Sequence, residues 1–373
     1  MKKKVLSLLI SAGLVATMMA GCGLSGNTAS TGKIDSEKTE TESKDSGSTA
    51  SGDYTVNEAA KADPAVTLTM AEVNPTKDTI CGAMDLKFKE AVEAMSGGSI
   101  TIDLQDSGVL GSEKEVLDGM LGGTGTVDIA RISAFALTSY GAKKSVLLSL
   151  PYTFTGRDHF WKFADSDLGQ EFLDEPEELK LGVRGLYFGE EGFRHFFTTK
   201  DKPISSAADM KGMKIRVSND PIMTEMVKNL GATPSPIEMK EVYTSIQNGT
   251  IDGAEQPTAN YASNKFQEVG PNLTLDGHTL GAMETIIADA SYDKLTDNQK
   301  QVIADAGKLA SEECRKVSEE RENEVLKELK DEGINVIELS DKSDFQAACK
   351  PIVDEYATGD LADLYQQILD MGK

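Results

Sequence analysis

The stretch Lys114-Glu-Val-Leu-Asp-Gly-Met-Leu-Gly-Gly-Thr-Gly-Thr-Val-Asp-Ile-Ala130 returns later as Lys240-Glu-Val-Tyr-Thr-Ser-Ile-Gln-Asn-Gly-Thr-Ile-Asp-Gly-Ala254, shorter by two residues. Each copy reads as a helix, a glycine stop and a short strand. Two copies of one unit predict two lobes of related build. Each lobe then presents the C-terminal end of a strand to the space between them, where open α/β sheets bind ligands. Chance likeness of two common helix-to-strand turns is the competing reading.

Working outward, alternation in Val66-Thr-Leu-Thr-Met70 predicts a strand. Thr79 to Met95 predicts a helix with Met84, Phe88, Ala91, Val92 and Met95 on one face, closed by Gly97-Gly98. Ser99 to Leu104 alternates again, and strand, helix, strand in that order specifies an α/β fold. Leu181 to Phe188, Phe193 to Phe197 and Met213 to Val217 read as further strands, and Pro221 to Leu230 as a helix stopped by Gly231. Thr296-x-x-Gln299 is a capping-box pattern that opens a helix from Asp297 to Lys330, with Gly333 as its stop. Its apolar positions are too broken for a sustained heptad, so the helix is expected to span both lobes.

The chain has 373 residues and 61 acidic against 38 basic side chains, for a formal charge of -23. That length favours two domains. So acidic a surface disfavours nucleic acid, which needs a basic stripe. With three histidines, four cysteines, no CxxC and no HExxH, no zinc or iron-sulfur ligand set is present, and no cofactor is expected. Lys2, Lys3 and Lys4 precede an apolar run from Val5 to Ala20, the charged and apolar regions of an export signal. The run ends in Met19-Ala20-Gly21-Cys22, which resembles the lipobox of bacterial lipoproteins and implies a lipid anchor on Cys22 after removal of residues 1–21. An ordinary signal peptide with an incidental cysteine is the alternative. Residues 22–63 are rich in Ser, Thr, Gly, Lys, Asp and Glu and read as a disordered tether. Residues 64–188 plus 276–320 are assigned to lobe I, and 189–275 plus 321–373 to lobe II. Cys81, Cys314 and Cys349 are expected to remain unpaired.

Arginine is scarce, seven against 31 lysines, so an arginine inside a strand calls for a reason. Arg131, Arg194 and Arg216 are such cases, each flanked by apolar residues that fix which way the strand faces. A planar guanidinium suits a carboxylate held by two parallel hydrogen bonds, so two forks would make an organic-acid clamp. Pairing with a local carboxylate at a strand edge is the competing role. There is no GxSxG, no P-loop lysine and no nucleophile beside a histidine, so no enzyme activity is expected. Glu190-Glu191 is a carboxylate pair, but among 61 acids such pairs arise by chance.

Several long motifs now stand in order: Gly192-Phe-Arg194-His195, Asp209-Met-Lys-Gly-Met-Lys-Ile-Arg-Val217, Leu230-Gly-Ala-Thr-Pro-Ser-Pro236 and Gln247-Asn-Gly-Thr-Ile-Asp-Gly-Ala-Glu-Gln-Pro257. They resemble the solute receptors of tripartite ATP-independent periplasmic (TRAP) transporters, the DctP-type family. The resemblance implies a two-lobed periplasmic-binding-protein-like fold with a long helix spanning both lobes. It also implies a ligand carboxylate held by Arg216, assisted by Arg194 and by a side chain just before the last proline. Here that side chain is Gln256, where asparagine is usual. Met239 stands where many members place an aromatic lid. In lobe I, position at strand ends selects Glu72, Asn74, Arg131 and Ser133. Asn219, just past the Arg216 strand, and Glu255, beside Gln256, complete the candidate set.

The leading reading is therefore an exported, lipid-anchored, monomeric receptor on the outer face of the cell membrane. It binds a small organic acid, leaning to a sugar acid such as a hexuronate or aldonate, else a C4-dicarboxylate, and delivers it to the integral membrane subunits of a TRAP permease. A sensor lipoprotein for the same acids is the runner-up. A hydrolase of acidic polysaccharide is the third class and would require turnover.

Overall fold

Val66–Ala71 (β1) lies parallel to both Ile100–Gln105 (β2) and Ile129–Ser133 (β3) in the computed structural model, which describes residues 54–373. Lys214–Val217 (β5) repeats the arrangement, parallel to Thr233–Pro236 (β6) and Gly253–Pro257 (β7). Two long antiparallel strands, Val183–Thr198 (β4) and Asn272–Ala288 (β8), join these trios into one sheet of order β2-β1-β3-β8-β4-β7-β5-β6. Asn335–Ile337 (β9) pairs with the start of β8. The C-terminal part of β8 holds β3, and the C-terminal part of β4 holds β7. Between Glu190 and Phe193 the β4–β8 register shifts, and there the chain passes from one half of the sheet to the other. The two expected strands on either side of Gly192 are thus one continuous strand. This is the mixed α/β, two-lobed architecture.

Helices cover the sheet. Glu58–Lys61 (α1) precedes β1, Ile80–Met95 (α2) links β1 to β2, and Glu113–Leu121 (α3) links β2 to β3. Val146–Ser149 (α4), Arg157–Ala164 (α5) and Asp167–Glu178 (α6) fill the path into β4. Pro221–Asn229 (α7), Met239–Gln247 (α8) and Thr258–Ser263 (α9) alternate with the strands of the second half, and Asp289–Tyr292 (α10) follows β8. α3 into β3 and α8 into β7 are the two copies of the repeated unit. Asp297–Asp331 (α11) is the long helix: 35 residues, roughly 50 Å. Its capping box is formed, with Thr296 Oγ1 accepting from the Gln299 N–H at 3.1 Å. α11 packs on α2 and β4 at one end and on α9 and β9 at the other, so it does span both halves. Gly307 lets it lie on β4, because a Cβ there would sit 2.6 Å from the Tyr187 ring. Ser343–Tyr356 (α12) packs on α7, whereas Asp360–Met371 (α13) returns to α5, where His159 Nε2 meets the Ile368 carbonyl at 2.6 Å. The C-terminal tail is therefore divided between the halves, where the sequence boundaries gave all of it to lobe II.

The expected signal segment, Cys22 and the expected tether up to residue 53 lie outside the described residues. Residues 54–63, expected as the end of the tether, are folded. Asn57 caps α1, accepting from the Ala59 and Ala60 N–H groups at 3.1 and 3.0 Å, and donates its own N–H to the Met95 carbonyl at 2.8 Å. Asp63 accepts from Thr296 Oγ1 and from Asn298 at 3.2 Å, tying the segment to the first turn of α11. Tertiary partners distant in sequence override a disorder-prone composition. Cys81, Cys314 and Cys349 are buried free thiols. Among the described residues no helix is long and apolar enough to cross a membrane.

Candidate functional site

Strand alternation aims the arginines. In β5, Ile215 and Val217 join the main core, and Arg216 between them faces the other way. In β3, Ala130 and Ile132 enter a satellite core, and Arg131 and Ser133 take the opposite face. In β4, Arg194 and His195 likewise part to opposite faces. The three guanidiniums meet in a narrow cleft with about 50 Å³ of free space. Of the ten residues expected there, Asn74, Arg131, Ser133, Arg194, Arg216, Asn219, Met239 and Gln256 line it. Asn219 also accepts from Ser139 Oγ at 3.1 Å through its carbonyl. Gln256 Nε2 lies 3.7 Å from Met239 Sδ.

Glu72 and Glu255 are the exceptions, standing behind the cleft as internal partners of its arginines. Both Glu72 oxygens accept from Arg131, through Nε and Nη2, and Glu72 Oε1 also takes the Asn74 N–H at 2.5 Å. Burial works against the Arg131 charge, but Glu72 more than offsets it and holds the pKa well above the usual arginine value. Glu255 accepts from Arg194 Nε and, at 3.0 Å, from Arg194 Nη2. Burial would raise its pKa, but Arg194 first and then His278, 3.6 Å away, bring it down to about 2. For His278 burial is overcome by Asp276, bonded at 2.6 Å, and by Glu255, so its pKa is raised to about 9.

Arg216 differs from both. Its Nε donates to the Ile237 carbonyl at 2.7 Å, its Nη1 is buried without a partner, and no acidic side chain among the described residues pairs with it. Burial lowers its pKa to about 10, which leaves it charged at neutral pH. One buried cation thus faces the cleft without a bonded anion, a costly state that an incoming carboxylate relieves.

Sequence reasoning missed Glu113, Glu191, Glu238 and Asn260, which also line the cleft. Glu113 follows the N-cap Ser112 of α3 and accepts the Ser133 N–H at 2.7 Å. Glu191, set aside as half of a chance pair, bridges Arg194 Nη1 at 3.2 Å and Asn260 Nδ2 at 2.7 Å. Its neighbour Glu190 turns away to Arg157 and the Gly192 N–H. The only sequence signal for Glu191 was its place three residues before Arg194. Among the described residues no cluster of side chains could hold a metal ion.

A two-lobed α/β protein with a buried guanidinium open to the space between its halves is built to bind a solute. Residues 70–359 match the DctP model, bacterial extracellular solute-binding protein, family 7, and the chain belongs to that family. It is an extracytoplasmic solute receptor of the TRAP type. It is 32% identical to a solute-binding protein of Roseobacter denitrificans over 268 residues, 72% of this chain and 80% of that one. It is 31% identical to the sialic acid-binding periplasmic protein SiaP of Vibrio cholerae, over 72% of this chain and 81% of SiaP. The crystal structure of a TRAP periplasmic solute-binding protein of Pseudomonas putida with bound D-glucuronate superimposes with a TM-score of 0.76 at 27% identity, covering 81% of this chain and 96% of that one.

Proposed function

We propose that this receptor closes on a sugar acid of the hexuronate or aldonate class and hands it to the membrane subunits of a TRAP transporter. The observation that carries the reading is the unpaired Nη1 of Arg216, buried in a cleft whose other arginines are already engaged by the protein's own carboxylates. A ligand carboxylate would take the free face of Arg216, with Gln256 beside it and Met239 against the ligand's apolar face. Asn74, Ser133, Asn219, Asn260 and the cleft carboxylates would bond its hydroxyls. Glu72 and Glu255 would hold Arg131 and Arg194 in place. The D-glucuronate named for one relative is a hexuronate, and the sialic acid named for another is a sugar acid of a different class. Lys2 to Lys4, the apolar run and Cys22 support export and lipid anchoring at the outer face of the membrane.

Calorimetric titration of the purified protein with D-glucuronate, D-galacturonate and D-gluconate, against D-glucose as the uncharged control, tests the reading. One-to-one binding of at least one acid, none of glucose, and loss of measurable binding in Arg216→Ala are expected. Unchanged affinity in Arg216→Ala would remove the anchor.

A further inference from the structure

We propose that the cleft is counted for a single carboxylate, taking a polyhydroxy monocarboxylate and rejecting its dicarboxylate counterpart, with Glu113 and Glu191 setting that preference. The inference rests on the organic-acid reading above and narrows it.

Four cations line the cleft: Lys114, Arg131, Arg194 and Arg216. Three carry their own anions. Lys114 Nζ is held by Asp118 at 2.6 Å. Arg131 gives Nε and Nη2 to Glu72, and its remaining Nη1 is 3.9 Å from Glu191. Arg194 gives Nε and Nη2 to Glu255 and Nη1 to Glu191. Two-pronged guanidinium–carboxylate pairs are the strongest side-chain hydrogen bonds, and these two lie out of solvent. A ligand carboxylate cannot displace Glu72 or Glu255 without leaving that carboxylate buried and unpaired. Of the four, Arg216 alone is paired with no side-chain carboxylate, and its Nη1 is buried without a partner.

The rest of the cleft carries the opposite sign. Glu191 Oε1 and Oε2 each accept one bond and retain further lone pairs, and Glu113 Oε1 takes only the Ser133 N–H. An ionised carboxylate accepts and does not donate, so Glu191 takes hydroxyl protons and not a second carboxylate; burial raises the Glu113 pKa against the pull of Arg131, and in its ionised form Glu113 does the same. A ligand anion placed beside them meets like charge in a partly buried site, where the repulsion is several times its value in water. The arrangement welcomes hydroxyls and admits one anion.

Matched pairs that differ only by oxidation of the terminal hydroxymethyl group separate the alternatives: D-gluconate with D-glucarate, and D-erythronate with meso-tartrate. In calorimetric titration of the purified protein at neutral pH, the tighter monocarboxylate is expected to bind at least thirtyfold more tightly than its dicarboxylate counterpart. In Glu113→Gln or Glu191→Gln the ratio of the two dissociation constants is expected to fall at least tenfold, a change that mere loosening of the cleft would not produce. A wild-type gap below thirtyfold, or a preference for the dicarboxylate, overturns the charge count and leaves the organic-acid reading intact. An unchanged ratio in both variants overturns the assignment to Glu113 and Glu191. Failure of these acids and of D-glucuronate and D-galacturonate to bind overturns the sugar-acid reading and this inference with it.

Discussion

Replacing Glu255 by glutamine removes the charge that locks Arg194 in place while keeping the size of the side chain. In the folded protein the Glu255 carboxyl is fully buried, bonded to Arg194 and facing His278 at 3.6 Å. Burial alone would raise its pKa, but Arg194 and His278 hold it at about 2 against an ordinary 4.5. At about 1.36 kcal/mol per pH unit, that difference is on the order of 3 kcal/mol of stability. Because the folded value is the lower one, the contribution is fully present above the unfolded pKa, about 4.5, and is lost as the pH falls through about 2. Urea unfolding can be followed by the fluorescence of Trp161, the only tryptophan in the chain. Glu255→Gln is expected to unfold on the order of 3 kcal/mol more easily at pH 7, with the deficit narrowing below pH about 4.5. A deficit of the same size at pH 7 and pH 3 would refute the argument that the Glu255 charge carries the stabilisation.

Gly307→Ala should force α11 away from the Tyr187 ring, costing about 1–3 kcal/mol by overpacking, read as a lowered melting midpoint; an unshifted midpoint would mean the helix can move freely on β4. His278, raised to about 9, contributes stability that is complete below its unfolded pKa, about 6.5, and is lost as the pH rises through about 9. His278→Asn should therefore flatten the melting midpoint over that interval, and a retained slope would assign it to another group. Asn57→Ala should cost about 1 kcal/mol, the usual worth of an N-cap, and a null effect on thermal unfolding would place residues 54–61 outside the cooperative fold.

The long helix was legible because its signals are local: Thr296 and Gln299 bond to each other's backbone, and Gly333 adopts a φ of 83° just past its end. Arg194 and Arg216 were legible because arginine is rare here and apolar flanks fix a strand's facing. What the sequence could not reveal depends on partners far along the chain. Which acid neutralises Arg131 is settled by the pairing of β1 with β3, which brings Glu72 alongside, and nothing near Arg131 in sequence announces it. β4 read as two strands because Gly189-Glu-Glu-Gly192 breaks the alternation, yet β8 supplies a partner on both sides of the break. The fold of residues 54–63 likewise depends on Met95 and Thr296, which average composition cannot see.

Because β4 and β8 each belong to both halves of the sheet, the protein does not divide into inheritable pieces. The chain crosses between the halves at Glu190–Phe193, again within β8, along α11, and once more before α13. A recombination event that exchanged one half for a relative's would need junctions at every crossing, several of them inside hydrogen-bonded strands. Point substitution at positions such as Ser133, Asn219 and Gln256 would change the cleft while leaving that frame whole.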